Sequence, residues 1–128
     1  MQQGLAEDIL VVAPEVRDAL AERRAVVALE STIITHGMPY PANRDMARAV
    51  EALIRSEGAL PATVALIGGQ IRVGLDAAEL DHLAAAGNVA KASRRDMAAL
   101  LVRKAAGGTT VAATMIAAAQ AGIQIFAT

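Results

Sequence analysis

The chain contains no cysteine and no tryptophan, and it has one phenylalanine and one tyrosine. Without cysteine there is neither a disulfide framework nor a thiolate zinc site. With so few aromatics, the core must be built from alanine, valine, leucine, isoleucine and methionine. Such an interior suits helices packed closely on a sheet. Lysine is scarce too: Lys91 and Lys104 are the only two, and the remaining positive charge is arginine. Neither sign of charge prevails, because 12 basic and 13 acidic side chains leave a net charge of -1. The charges are interspersed, which excludes the basic stripe of a nucleic-acid binder. A positively charged leader is also missing. The opening "MQQGLAEDIL" carries acids where an export signal would carry lysine or arginine, so a cytoplasmic protein is expected. Charge is absent altogether from Gly107 to Thr128, a stretch about long enough to span a bilayer. Yet that stretch is mostly Ala, Thr and Gly, holds Gln120 and Gln124, and is divided by Gly122. It is expected to be a buried helix followed by a strand, and no membrane contact is expected.

What is present is apolar bulk. Over 128 residues the hydrophobic fraction is 55%. That is enough for one domain with a real core, expected to cover residues 1–128. The segment "APEVRDALAERR" reads as a helix, with Pro14 in the first turn where its missing N–H costs nothing, and Arg23 and Arg24 at the end favoured by the helix dipole. "AVVALEST" is apolar without alternation, which is the mark of a strand buried on both faces. A loop rich in Gly37, Pro39 and Pro41 follows, and Asn43 is placed to cap the helix "RDMARAVEALIRSE". Met46, Val50, Leu53 and Ile54 give that helix an apolar stripe. "TVALIGGQIRVGL" predicts two strands joined by a Gly68-Gly69 turn, which leaves no reason to read the glycines as a phosphate loop. Asp76 with Glu79 predicts a capped helix ending near Gly87. "NVAKASRRD" is short and extended, and "DMAALLVRKAAG" is helical with Gly107-Gly108 closing it. "TTVAATMIAAAQAG" is helical again, and "IQIFAT" is a strand. Interleaved strands and helices predict an α/β fold, with a largely parallel sheet between helix layers and one antiparallel piece at the Gly-Gly turn. The chain stops at an apolar strand with no closing helix, so the sheet is expected to be incomplete at its C-terminal side.

Candidate chemistry gathers where strands end. Glu30 interrupts the apolar run at the carboxyl end of its strand, where open α/β sheets place their sites. It is either a general acid made usable by desolvation or a solvated strand-end acid. Ser31, Thr32, Thr35, His36 and Tyr40 follow, suited to a polyhydroxylated or phosphorylated ligand or to turn chemistry. His36 and His82 lack metal-ligand spacing. Lys91 is a phosphate ligand, an amine for imine chemistry, or a surface lysine. Arg94 and Arg95 add anion contacts or are solvated helix-start charges. "GGTTVAAT" offers close backbone approach, the hydroxyls of Thr109 and Thr110, and a helix N-terminus for a polar ligand, or else a tight helix–helix turn with a threonine cap.

Together, "ALESTIITHGMPYPAN", "VALIGGQIRVGL", "AKASRRD" and "GGTTVAATM" resemble the pseudouridine-5'-phosphate glycosidase family, which includes indigoidine synthase A-like proteins. The resemblance runs from about Pro14 to Thr128, with four motifs in the family's order. It implies a three-layer α/β/α sandwich with a mixed, mostly parallel sheet, assembled as a homotrimer and assisted by manganese (Mn2+). It also implies reversible C–C glycosidic cleavage of pseudouridine 5'-phosphate to uracil and ribose 5-phosphate. By the same resemblance Glu30 is the proton donor that helps open the ribose ring, and Lys91, Thr110 and Val111 bind substrate. The family's imine-forming lysine and metal-binding aspartate lie downstream of the matched region. The expectation is therefore an N-terminal portion, inactive and poorly stable alone. The alternative is a stand-alone α/β module that binds a phosphorylated ligand without catalysis.

Overall fold

In the computed structural model, which describes residues 8–128, strands and helices alternate along most of the chain. β1 (Leu10–Val12) leads into α1 (Pro14–Ala21), β2 (Val26–Leu29), α2 (Thr32–His36) and α3 (Ala42–Ser56). β3 (Leu60–Ile67) and β4 (Gln70–Val73) follow, then α4 (Ala77–Ala85) and β5 (Ala90–Ala92). A 3-10 turn at Arg94–Asp96 opens α5 (Met97–Val102), and β6 (Gly107–Thr109), α6 (Val111–Ala121) and β7 (Ile125–Ala127) complete the order.

Local chemistry accounts for many of these boundaries. Pro14 sits in the first turn of α1, as expected. α1 stops because Arg23 takes a left-handed conformation, and the N–H of Arg24 turns back to the carbonyl of Ala19. α4 opens with a complete capping box: Asp76 accepts from the Glu79 N–H, and the Glu79 carboxylate accepts from the Asp76 N–H. Thr110 caps α6 by accepting from the N–H of Ala113, and Gly122 ends that helix at a positive φ.

The sheet is organised on β3. Its order is β1-β4-β3-β2-β7, with β6 also on β3 and β5 on β6. Four pairings are parallel (β1 with β4, β2 with β3, β2 with β7, β5 with β6). The turn at Gly68-Gly69 makes β3 and β4 antiparallel, as read from the sequence, and β3 with β6 is a second antiparallel pair that was not expected. The first half of β3 pairs with β2 through Leu60 to Thr63, and its second half pairs with β6 at Ala65 and Leu66. β2 and β6 thus lie on the same side of β3, end to end, with their carboxyl ends facing each other.

Helices cover both faces. Val16 and Ala19 of α1, Met97 and Leu100 of α5, and Ala113 and Ala117 of α6 pack on one face against Ala28, Ala62, Val64 and Leu66. Ile34 of α2, Ala47 of α3, and Leu80 and Ala84 of α4 form a smaller cluster on the other. The result is the expected three-layer α/β/α arrangement with a mixed, mostly parallel sheet. None of the described helices is long and apolar enough to cross a membrane.

Three local expectations are overturned. The stretch after Glu30, read as loop, contains the short helix α2, because the carbonyl of Ser31 accepts from the N–H groups of Ile34 and Thr35 before the prolines begin. Asn43 does not cap α3. The helix starts at Ala42, and Asn43 is buried inside it, donating from Nδ2 to the carbonyls of Ile34 and Ala84, both at 2.8 Å. Gly107 and Gly108 do not close a helix, and the helix–helix turn is absent. α5 ends at Val102, with Lys104 left-handed beyond it, and the glycines form β6. They serve packing: a Cβ on Gly108 would lie 2.1 Å from Oγ1 of Thr35, so only glycine lets α2 rest on this strand.

Candidate functional site

The carboxyl ends of β2 and β6 meet at Ser31 and Thr109. The N–H of Ser31 donates to the Thr109 carbonyl at 3.1 Å, and the N–H of Thr109 donates to Oγ of Ser31 at 2.8 Å. Oγ1 of Thr109 donates to the Val64 carbonyl at 2.8 Å and accepts from the Thr114 hydroxyl at 2.8 Å. Ser31, Thr109 and Thr114 are fully buried. This network occupies hydroxyls that the sequence offered to a ligand, so Ser31 and Thr109 act as structural groups and not as ligand contacts. A buried hydroxyl without partners would cost about 1–3 kcal/mol, so each member holds the others in place. The signal was present in the sequence as polar residues at the ends of apolar strands, but their mutual contact depends on the head-on meeting of two distant segments.

Residues beside this network face outward. Glu30 ends β2, half-buried, with the Thr32 hydroxyl donating to Oε2 at 2.9 Å and the Thr128 hydroxyl donating to Oε1. Thr110 follows Thr109, but its hydroxyl is committed to capping α6 at 3.3 Å from the Ala113 N–H. Its neighbour Val111 is 39% exposed in the first helical position, where the N–H has no acceptor within the helix. Lys91 is exposed on β5 and in register with Gly108. Its neighbours Ala90 and Ala92 pack against the larger core, so strand alternation turns Lys91 toward the α2 face. On that face Oγ1 of Thr35 lies 2.6 Å from Nδ1 of His36. The structure therefore gathers Glu30, Lys91, Thr110 and Val111 around one strand junction, although Glu30 and Lys91 form no ion pair with each other.

Tyr40 stands apart from this group. Its ring lies under the Arg44 guanidinium, 5.2 Å from the centroid, and its hydroxyl accepts from Arg44 and donates to Asp81. It belongs to a surface cluster between α3 and α4. Among the described residues no three His, Cys, Asp or Glu side chains converge. This donor set does not hold a manganese ion by itself.

An open groove of about 270 Å³ begins at Glu30 and runs along the α3 face. Leu29, Thr63 and Ala127 form its floor, and Ile33 and the stripe Met46, Val50, Leu53 and Ile54 form its wall. Behind that wall, Glu51 reaches β3 and accepts from the Thr63 hydroxyl at 2.6 Å. Burial pushes the Glu51 carboxyl above the ordinary glutamate value, against the pull of the Thr63 hydroxyl.

Comparison with known proteins finds relatives of this sequence and of this fold. The chain is 61% identical over 123 residues to the pseudouridine-5'-phosphate glycosidase of Sorangium cellulosum, which covers 95% of this chain and 39% of that one. It is 56% identical over 114 residues to the Staphylococcus aureus protein of the same name, covering 89% of this chain and 37% of that one. Among solved structures, a prealnumycin C-glycosynthase in complex with ribulose 5-phosphate superposes with a TM-score of 0.83 at 41% identity, over 94% of this chain and 38% of that one. An indigoidine synthase A-like protein from Thermotoga maritima gives a TM-score of 0.76 at 25% identity, over 82% of this chain and 36% of that one. The chain thus spans about two fifths of the length of the curated relatives it matches. Residues 15–128 match the family described as Indigoidine synthase A like protein, and the chain belongs to that family.

Proposed function

We propose that this chain carries the proton-donor portion of a pseudouridine-5'-phosphate glycosidase, acting on a C-nucleoside monophosphate to give uracil and ribose 5-phosphate, reversibly. The observation that supports this reading most directly is the Glu30 carboxyl, held by two hydroxyls at the meeting point of two strand ends. The same reading suits the relatives' names and the sugar phosphate bound by the C-glycosynthase.

The chemistry follows from the bond to be broken. Carbon is a poor leaving atom, so protonating a glycosidic oxygen does not help. Once the sugar is opened and a lysine amine stands at the anomeric carbon in place of the ring oxygen, the nitrogen lone pair forms the imine as the C–C bond breaks, and the pair of that bond leaves on the uracil ring, which takes a proton at the freed carbon. Protonated Glu30 gives its proton to the ring oxygen as the C–O bond breaks, which leaves the carboxylate to accept from the Thr32 and Thr128 hydroxyls. Lys91 contributes a compact positive charge for the substrate phosphate. Val111 meets substrate through its free backbone N–H, and Thr110 sets that N–H by capping α6. The imine-forming lysine lies outside these 128 residues, as do the ligands of the manganese ion, which the residues described do not assemble. A homotrimeric, cytoplasmic enzyme belongs to the same reading.

The test is uracil release from pseudouridine 5'-phosphate with manganese present. The chain alone is expected to release none. A chimera joining these 128 residues to the unmatched remainder of the Sorangium cellulosum relative is expected to turn over. Glu30→Gln in that chimera should lower turnover by about 100-fold or more while substrate still binds. Undiminished turnover of the Gln variant would remove Glu30 from the mechanism.

A further inference from the structure

One donor at the strand junction has no part in the chemistry described above. α2 carries Thr32, Thr35 and His36 at the three- and four-residue spacing that puts side chains on one helix face. Two of the three have fixed places. The Thr32 hydroxyl meets Glu30 at 2.9 Å, and Thr35 is seated directly over Gly108. That face of α2 therefore looks onto the junction, and His36 looks with it. Gly108 is in register with Lys91, whose side chain stands on the same side of the sheet. His36 and Lys91 are both exposed, and among the described residues neither pairs with a carboxylate. A histidine that merely ended a short helix would be free to rotate, but this ring is held. The Thr35 hydroxyl has one proton and two acceptors, Nδ1 of His36 at 2.6 Å and the Ser31 carbonyl at 3.3 Å. The shorter contact takes the proton, because hydroxyl bonds fall mostly within about 3.0 Å. Nδ1 is then an acceptor, and Nε2 carries a proton whether the ring is neutral or charged. Gly108 seats Thr35, and Thr35 orients the imidazole.

We propose that His36 is a second phosphate ligand beside Lys91, donating from Nε2 to a phosphate oxygen, and that Thr35 is the residue that positions it. The inference rests on the reading of the chain as a binder of a C-nucleoside monophosphate. It divides the junction by charge. Glu30, held by Thr32, takes the sugar-ring end of the substrate. Lys91, His36 and the free N–H of Val111 take the anionic end. The three donors differ in kind. Lysine is a point charge that any anion satisfies, whereas an oriented imidazole and a backbone N–H are directional and favour an anion with several oxygens. With Nδ1 occupied by Thr35, neither His36 nor Lys91 offers an acceptor to a sugar hydroxyl. The pair therefore selects the phosphate and not the ribose.

The chain has two histidines, so imidazole NMR reads the proposal directly, with His82 on α4 as the internal control. In the free chain His36 should hold its proton on Nε2, and Thr35→Val should abolish that preference. Ribose 5-phosphate should shift the His36 Nε2 signal and leave His82 unmoved, whereas ribose should move neither. In calorimetric titration His36→Ala should weaken ribose 5-phosphate binding about 10-fold or more, the effect of losing a hydrogen bond to a charged group. His36→Gln, whose amide N–H takes the place of Nε2–H, should recover most of that affinity. A neutral His36 protonated on Nδ1 in the free chain would overturn the proposal. So would a His36 signal that ribose 5-phosphate does not move, or equal affinities of the parent and His36→Ala proteins. The role of Glu30 fails separately. Undiminished turnover of the Glu30→Gln chimera, with the His36→Ala loss intact, removes the proton donor and leaves this phosphate ligand in place. The opposite pair of results keeps the donor and removes His36.

Discussion

Gly108→Ala is the sharpest test of how this fold builds its site. The backbone at Gly108 does not call for glycine, since its φ is not among the positive values of the chain. The constraint is steric. An added methyl would lie 2.1 Å from Oγ1, 3.0 Å from Cγ2 and 3.1 Å from Cβ of Thr35. A threonine side chain is short and has one rotatable bond, so it cannot swing clear as a lysine would. Either α2 lifts from β6 or β6 moves in the sheet, and the Ser31–Thr109 contact one residue away opposes both. Overpacking of this kind costs about 1–3 kcal/mol. With a urea slope of about 2 kcal/mol per molar, a loss of 2 kcal/mol lowers the unfolding midpoint by roughly 1 M. The partner variant Thr35→Ala removes the two nearest atoms and gives up the hydrogen bonds to the Ser31 carbonyl and His36. Alone it should cost about 1 kcal/mol or less. Combined, the two changes should be less destabilising than their sum by about 1 kcal/mol or more, since each relieves the other's fault. Additive losses, or a Gly108→Ala midpoint equal to that of the parent, would refute the close approach of α2 to β6 as the reason for glycine.

Other perturbations read different parts of the structure. Thr109→Val keeps the shape but removes the oxygen shared by Ser31, Thr114 and the Val64 carbonyl. It should cost about 2 kcal/mol or more in chemical denaturation, whereas Thr109→Ser should recover most of it. Glu51→Gln tests the buried acid. Because the folded carboxyl titrates above its ordinary value of 4.5, the folded state holds the extra proton. This group's stabilising contribution is therefore present below the unfolded value and lost as pH rises through the folded one. The Gln variant should flatten the decline of melting temperature with pH above 4.5, and an unchanged profile would count against burial as the cause. Asp76→Ala removes the cap of α4 and should lower stability by about 1 kcal/mol.

What could be read from the sequence was whatever local chemistry dictates. The capping box at Asp76 and Glu79, the Gly68-Gly69 turn, the unalternating strands and the acid at the end of β2 all follow from neighbours within a few residues. The failures share one cause. Gly107 and Gly108 look like a helix stop because glycine usually breaks helices, yet Gly108 is required by what crosses over it, a helix some seventy residues earlier in the chain, and Gly107 lies close against the side chains of Ala92 and Leu66. Asn43 looks like a cap, but its side chain ties together carbonyls of α2 and α4, neither adjacent in sequence. Ser31 and Thr109 look like ligand hydroxyls, and only the end-to-end meeting of β2 and β6 shows that they are spent on each other. The stripe on α3 was legible as apolar, but its spacing could not tell whether it faces a core or an open groove.

The head-on junction also explains why the residues carried by the family resemblance are so far apart in sequence. Glu30 immediately precedes Ser31, and Thr110 immediately follows Thr109. A contact between Ser31 and Thr109 therefore fixes the acid and the start of α6 relative to each other through single peptide links. Lys91 is brought in by the register of β5 on the same strand, opposite Gly108. None of these three positions needs to touch another, because Glu30 and Thr110 are set by a contact one residue away and Lys91 by its own place in the strand register. A ligand reaching from the Glu30 carboxyl to the N–H of Val111 would meet groups whose spacing is held by buried hydrogen bonds, not by flexible side chains. That rigidity is what a proton donor requires if its target atom must lie within hydrogen-bond reach.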